Sequence, residues 1–553
     1  MSSISHSILL VLLVLLMLCT VGAILGTGCK DIVASNDATA GDYQLLLKVR
    51  DPSRPGLQVL CMVPAGYNYT YHLPWTGKPL LCNVKHKFIG VATINDTIPN
   101  IVKAGMAFSD RGIAYGDADT MSNWVNPTKY AWDDFDWIRY ACQQADTEDE
   151  ARDLLTKDVV DTRHAPGVSE NLFVVGPEKA MVIEADVVHF TVNEIHGVLA
   201  MSNYPHDLWE TQRHNKLSIA SSFDTEHEQE VREGQIVHLQ SVYGIKIMDI
   251  ARDHITVRED PLIKITNRQI RFMGNPIDIP IDERKTVGDF SVKLLGITGN
   301  KAQVSVSTMV YAWEQTLLDI IQPSYGHITV EDMMNWSRLH PEDLDGMRPM
   351  CEDLFPYESA MIYKIPGENY QVLSSGWFAA NHPCASIYVP VHIADTHIYE
   401  PYTNGDAAQL SLDLLTRYGH GTLNTAFHQV ETVFLSEITE VEPQAIEMIQ
   451  NNSDPSDLLT VVDTGMQKQA WLTEQLWQHL GEINDTEQQL NIRAIIETIW
   501  EKNYSVSLEH MDNAIVSLCS FSESDEIINQ IIDIMFSITE TRLAETTALY
   551  EKH

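Results

Sequence analysis

Short apolar and alternating runs separated by turn residues fill the chain from Ile32 to about Thr120. LLLKV (45–49), LQVLCMV (57–63) and KFIGVATI (87–94) read as strands, the first two split by the turn-rich DPSRPG. MAFSDRGIAYG (106–116) reads as two strands broken at Asp-Arg-Gly. Between Asp133 and Asp158 the period changes. Ile138, Ala141, Cys142, Ala145, Ala151, Leu154 and Leu155 fall on the faces of amphipathic helices. ENLFVVGP, KAMVIEA, VVHFTV and GVLAMSN (170–203) return to strand texture. Residues 215–300 are polar and match no clear period, which marks them as an insertion. VSVSTMVYAW (304–313), SAMIYKI (359–365) and ASIYVPVHI (385–393) again read as strands, and from about residue 405 the pattern is helical to the end. Strands, helices, strands and helices without a regular βαβ alternation predict an α+β fold rather than a doubly wound sheet.

Residues 8–25 form an uncharged apolar run that ends at Gly26, Thr27 and Gly28. Its position and the small residues at −1 and −3 predict an export signal cleaved after Gly28. That division gives a signal over 1–28, a main domain over 29–405 and a helical region over 406–553. Exported chains can form disulfides, and Cys61 and Cys82, at the two ends of a hairpin-like stretch, are the best-placed pair.

The composition narrows the function. The 76 acidic and 37 basic residues leave a formal charge of −39, opposing non-specific nucleic-acid binding. Nucleotide-binding glycine motifs, a P-loop, H-E-x-x-H, C-x-x-C and G-x-S-x-G do not occur. The scattered histidines, His206 and His214 among them, read as surface or core residues, so neither metal nor cofactor is expected. The acidic run Asp133, Asp134 and Asp136 reads as a helix start.

Cleavage after Gly28 makes Cys29 the first residue. A free α-amine titrates near ~7.7–8.0 and a thiol near ~8.5, so the amine is a base matched to its own side chain. Such a site needs a carboxylate to hold the amine, a cation beside the thiolate and donors for an oxyanion. Lys48, Arg50 and Asp51 lie on the next strand and at its end, where a hairpin returns them towards Cys29.

The segment from Cys29 through Lys48 and Arg50 to Asp51 resembles the opening of the N-terminal-nucleophile hydrolases. The similar groups are the choloylglycine hydrolases, penicillin V acylases, acyl-coenzyme A:6-aminopenicillanic acid acyltransferases and related secreted dipeptidases. The resemblance continues in GMAFSDRGIAYGDADT (105–120), VLAMSNYPHDLWETQ (198–212), YGHITVEDMMNWSRLH (325–340) and SSGWFAANHPCASIYVPVH (374–392). It implies a four-layer αββα sandwich with a helical C-terminal extension, and amide hydrolysis through a thioester. It assigns Cys29 as nucleophile, Asp51 as the partner of its amine, Lys48 as the cation and Asn203 as an oxyanion donor. Asp119 stands where the choloylglycine branch often has a second oxyanion Asn, and is read as a substrate-binding group. Arg213 is the match found for a later family Arg. Val49 replaces a common Asn. The implied partner is a small amide or peptide, without nucleic acid and without a cofactor, and a homo-oligomer is compatible. Two alternatives stay open: an acyltransferase, and a lipid-anchored binding module with acylated Cys29.

Overall fold

The computed structural model describes residues 28–50, 56–72, 79–94, 105–120, 134–157, 169–186, 189–208, 226–240, 243–260, 263–266, 269–272, 275–288, 290–351, 357–501, 504–520 and 526–550. The expected signal over 1–27, Asp51, Arg213 and His214 lie outside them.

Two antiparallel sheets form the centre. The first has six strands in the order Val198–Met201, Lys30–Ala34, Tyr43–Arg50, Ser359–Pro366, Ser375–Ala379 and Val389–His392. The second has seven: Phe190–Ile195, Ala180–Ala185, Ser169–Val175, Ala114–Thr120, Met106–Ser109, Phe88–Thr93 and Gln58–Val63. Their facing sides share one apolar core that includes Leu46, Val91, Met106, Phe108, Phe173 and Tyr363. Phe108 of the second sheet packs on Tyr363 of the first with ring centroids 5.6 Å apart. This burial is the main force joining the sheets.

Helices lie against both sheets. Met309–Ile321, Val330–Ser337 and Ser456–Leu480 pack on strands of the first, and Asp134–Gln144 and Glu148–Asp153 on strands of the second. Two of these starts are legible in their caps. Thr329 and Asp332 form a reciprocal capping box, and Thr147 accepts from the Glu150 amide at 3.2 Å. The Asp136 carboxylate of the acidic run is buried, paired with Arg139 at 2.9 Å. The C-terminal region is helical as its period predicts. Its longest members, Asn424–Gln450, Ser456–Leu480 and Glu526–Tyr550, join the main core through residues such as Phe427, Leu459, Trp477 and Ile531.

Residues 226–308 differ from the polar impression of their sequence. They contain two four-stranded sheets, with their own core of Val231, Ile245, Val257, Phe290, Val304 and neighbours. Two further expectations change. Only the first part of VSVSTMVYAW is strand (Lys301–Thr308), and Met309–Ile321 is helix. An unbroken apolar run fits a buried strand and a buried helix equally well, so period alone does not separate them. Cys61 and Cys82 form no disulfide. Cys61 sits on the strand Gln58–Val63 of the seven-stranded sheet, whereas Cys82 faces Tyr69 in a separate two-stranded hairpin.

Candidate active site

Cys29 is buried and immediately precedes the strand Lys30–Ala34. That strand lies between Val198–Met201 and Tyr43–Arg50. The antiparallel register sets Asp31 opposite Lys48 on one side and opposite Met201 on the other. One hairpin therefore brings Lys48 towards Cys29, and the neighbouring strand delivers Ser202 and Asn203 just beyond its end.

Lys48 is fully buried. Its ammonium lies 3.4 Å from Asp31 and 3.3 Å from Asp117. Burial opposes the charge, but the neighbouring carboxylates, Asp31 first, favour it, and Lys48 is held protonated. Burial pushes the Asp31 carboxyl up, and Lys48 offsets this only in part. The same burial pushes the Cys29 thiol up to about 12, with Lys48 lowering it and Asp117, Asp119 and Asp31 raising it. With Gly28 still attached, the thiol is held neutral and its nitrogen is a peptide nitrogen, which is no base. Gly116 permits this packing, because a Cβ there would stand 3.0 Å from Asp31 Oδ1.

Three side chains meet the main chain at Gly28 and Cys29. Arg348 donates to the Gly28 carbonyl oxygen and, at 3.3 Å, to Ser202 Oγ. Ser202 Oγ donates to the Cys29 carbonyl at 3.1 Å. The Asn203 amide lies so close over Gly28 that an added Cβ would fall inside it. Asn203 Nδ2 donates to the main-chain oxygen of Asp119 at 2.8 Å. The turn carrying Asn203 is fixed from below. Asn171 donates to the carbonyls of Ser202 and Tyr204 at 2.8 and 3.0 Å, and the Glu184 carboxylate accepts the amides of His206, Asp207 and Leu208. His206 itself pairs with the buried Glu314 at 3.0 Å.

The Asp119 side chain is exposed, and its register partner is Glu170. Asp117, Asp119 and Glu170 bring one carboxylate oxygen each within 4.8 Å of one another. Lys48, Asn203 and the main chain of Asp119 are thus assembled with Cys29. Arg348, Asp31 and Ser202 were not singled out by the sequence. Alternation along the first strand signals Asp31, two residues from Cys29. Arg348 lies 320 residues from Gly28 and has no local signal.

No family model matches the chain, and no curated protein does. Among solved structures 27 chains match. Penicillin V acylase from Agrobacterium tumefaciens is 14% identical, with 32% of this chain and 53% of that chain covered and a TM-score of 0.25. A mutant conjugated bile acid hydrolase from Clostridium perfringens is 15% identical, with 32% and 55% covered and a TM-score of 0.25. The chain spans about half the length of each neighbour (53% and 55%).

Proposed function

We propose that the chain is an exported hydrolase of linear amides, with Cys29 as nucleophile once it is the first residue. The observation that carries this reading is the placement of Arg348 on the Gly28 carbonyl oxygen, with Ser202 on the Cys29 carbonyl and the Asn203 amide against Gly28. Loss of the residues through Gly28 leaves the Cys29 thiol beside Lys48, with Arg348 facing the space that the Gly28 carbonyl held and the Asn203 amide against the place of Gly28 itself. A substrate carbonyl entering that space meets Arg348, with the Asn203 amide beside it.

The chemistry follows. The α-amine takes the thiol proton, and sulfur bonds to the amide carbon. The carbonyl electrons move to oxygen, where Asn203 and Arg348 stabilise them. Collapse expels the amine leaving group, which takes the proton from the α-ammonium. Water activated by the same amine then cleaves the thioester and releases the acid. An amine in place of water would give acyl transfer. In this reading the facing sheets and their helices are the αββα sandwich, Asp51 holds the amine, and a small amide or peptide is the substrate.

The test is the intact mass of the mature protein before and after incubation with a panel of N-acyl amino acids, acyl amides and dipeptides. A chain starting at Cys29 that gains a hydroxylamine-labile acyl mass and releases amine supports the reading. A lipid-modified Cys29, or a free Cys29 that gains no acyl mass from any member of the panel, overturns it.

A further inference from the structure

Away from Cys29, five sulfur and imidazole side chains meet where the helical C-terminal region joins the six-stranded sheet. His340 follows the helix Val330–Ser337, and Cys351 lies further along the same connection. His382 and Cys384 lie in the turn after the strand Ser375–Ala379. His420 joins the helices Asp406–Tyr418 and Asn424–Gln450. Cys351, His382 and Cys384 are completely buried.

The two sulfurs are 3.0 Å apart. Cys384 Sγ is 3.1 Å from His420 Nδ1, and Cys351 Sγ is 4.0 Å from the same atom. The ligand atoms of His340, Cys384 and His420 lie within 4.8 Å of one another, as do those of Cys351, His382 and His420. His382 Nδ1 is 3.6 Å from Cys351 Sγ and 3.5 Å from Glu358. The turn carrying His382 and Cys384 is held independently. Arg338 donates to the carbonyls of Pro383 and Ser386 at 2.8 and 3.1 Å while forming a buried two-pronged pair with Glu431 at 2.5 and 2.8 Å.

We infer that Cys351, Cys384, His420 and His340 bind a divalent transition metal, zinc by the chemistry of its donors, with His382 positioning Cys351. Two thiolates and two imidazoles are a tetrahedral zinc set. Metal–sulfur and metal–nitrogen bonds of about 2.3 and 2.0 Å put tetrahedral ligands roughly 3.3–3.8 Å apart. The spacings among Cys351, Cys384 and His420, from 3.0 to 4.0 Å, bracket that range, and His340 lies within 4.8 Å of Cys384 and His420, so side-chain shifts close the site. A sulfur–sulfur distance of 3.0 Å is well beyond a disulfide bond of about 2.0 Å. Binding exchanges the two thiol protons, released to water, for two metal–sulfur bonds, with no change of oxidation state.

The metal would tie three segments that are distant in sequence: the loop of His340 and Cys351, the turn of Cys384 and the connection of His420. It would also fix Cys351, three residues after Arg348, and so anchor the segment that reaches Gly28. The site stands whether or not Cys29 is a nucleophile.

The test uses the full chain, purified without chelators and under reducing conditions. Elemental analysis should find one metal ion per chain. Cobalt substitution should give thiolate-to-metal charge transfer and the visible bands of a tetrahedral ion. Cys384→Ser and His420→Ala should lose the metal, and Cys29→Ser should keep it. Should those variants misfold, wild-type protein decides the matter: metal should shield Cys351 and Cys384 from alkylation, and a chelator should restore it. A wild-type chain that takes up no zinc or cobalt with both thiols reduced overturns the site. So does a Cys351–Cys384 disulfide in the isolated protein, or unchanged metal content in folded Cys384→Ser and His420→Ala.

Discussion

The guanidinium of Arg348 donates to the carbonyl oxygen of Gly28, the oxygen of the peptide bond that precedes Cys29. In the proposed reading, that cation becomes a donor facing a substrate carbonyl once Gly28 is gone. Arg348→Ala should therefore lower kcat by about 10²–10³, the usual effect of losing one oxyanion donor. Arg348→Lys should recover part of this, since it keeps charge but not the fork that also reaches Ser202. Steady-state kinetics of mature protein decide it, and equal KM with unchanged kcat in Arg348→Ala removes the residue from the site.

Lys48 invites a different measurement because it is both a structural and a chemical cation. Asp31 and Asp117 lie 3.4 and 3.3 Å from it. Lys48→Met leaves those carboxylates buried without a partner, a loss typically of about 3–5 kcal/mol. Urea unfolding should show that loss. Adding Asp31→Asn should return part of the stability, because the buried charge goes with it. It should not return activity, since the cation beside the thiol stays missing. Recovery of both together would mean that Lys48 acts only through folding.

The strand skeleton was largely legible because half-buried and buried strands carry their burial in the sequence. Lys48 was legible through its spacing from Cys29, which a hairpin converts into proximity. Residues 226–308 were not, because strands such as His254–Asp260 carry few apolar residues: the alternate positions are half-buried and charged or polar, and a charged residue, Glu259, also takes a buried position. Arg348 and the Cys351–Cys384–His420 cluster were invisible for another reason. Their partners come from separate segments, so the chemistry exists only after tertiary packing. Asp119 was read by its side chain, whereas its main-chain oxygen is what holds Asn203.

That last contact separates two substitutions. Asn203→Ala removes the amide over the Gly28 position and should cut kcat by about 10²–10³ with little change in KM. Asp119→Asn leaves the main-chain oxygen and hence the Asn203 anchor in place. It also removes a like charge from beside Asp117 and the thiol. Activity on simple acyl amides should be kept or raised. Collapse of activity in Asp119→Asn with Asn203→Ala nearly silent would reverse the two roles.

A final prediction concerns pH and stability, away from catalysis. Glu474, on the helix Ser456–Leu480, is buried and accepts the Ile387 amide at 2.8 Å. This contact ties the helical region to the segment leading into the strand Val389–His392. Burial pushes its carboxyl up from 4.5 to about 8, aided by the charge of Glu431 and opposed by the Ile387 hydrogen bond. A raised folded-state value means that the folded chain binds a proton that the unfolded chain has lost. The contribution is fully present below 4.5 and disappears as pH rises through about 8, with a slope of at most about 1.4 kcal/mol per pH unit in between. Glu474→Gln keeps an acceptor for Ile387 but cannot ionise. Its stability relative to wild type should therefore rise from pH 5 to pH 8. Urea unfolding at several pH values in that window checks this, and parallel curves for the two proteins would show that Glu474 is ionised in the fold throughout.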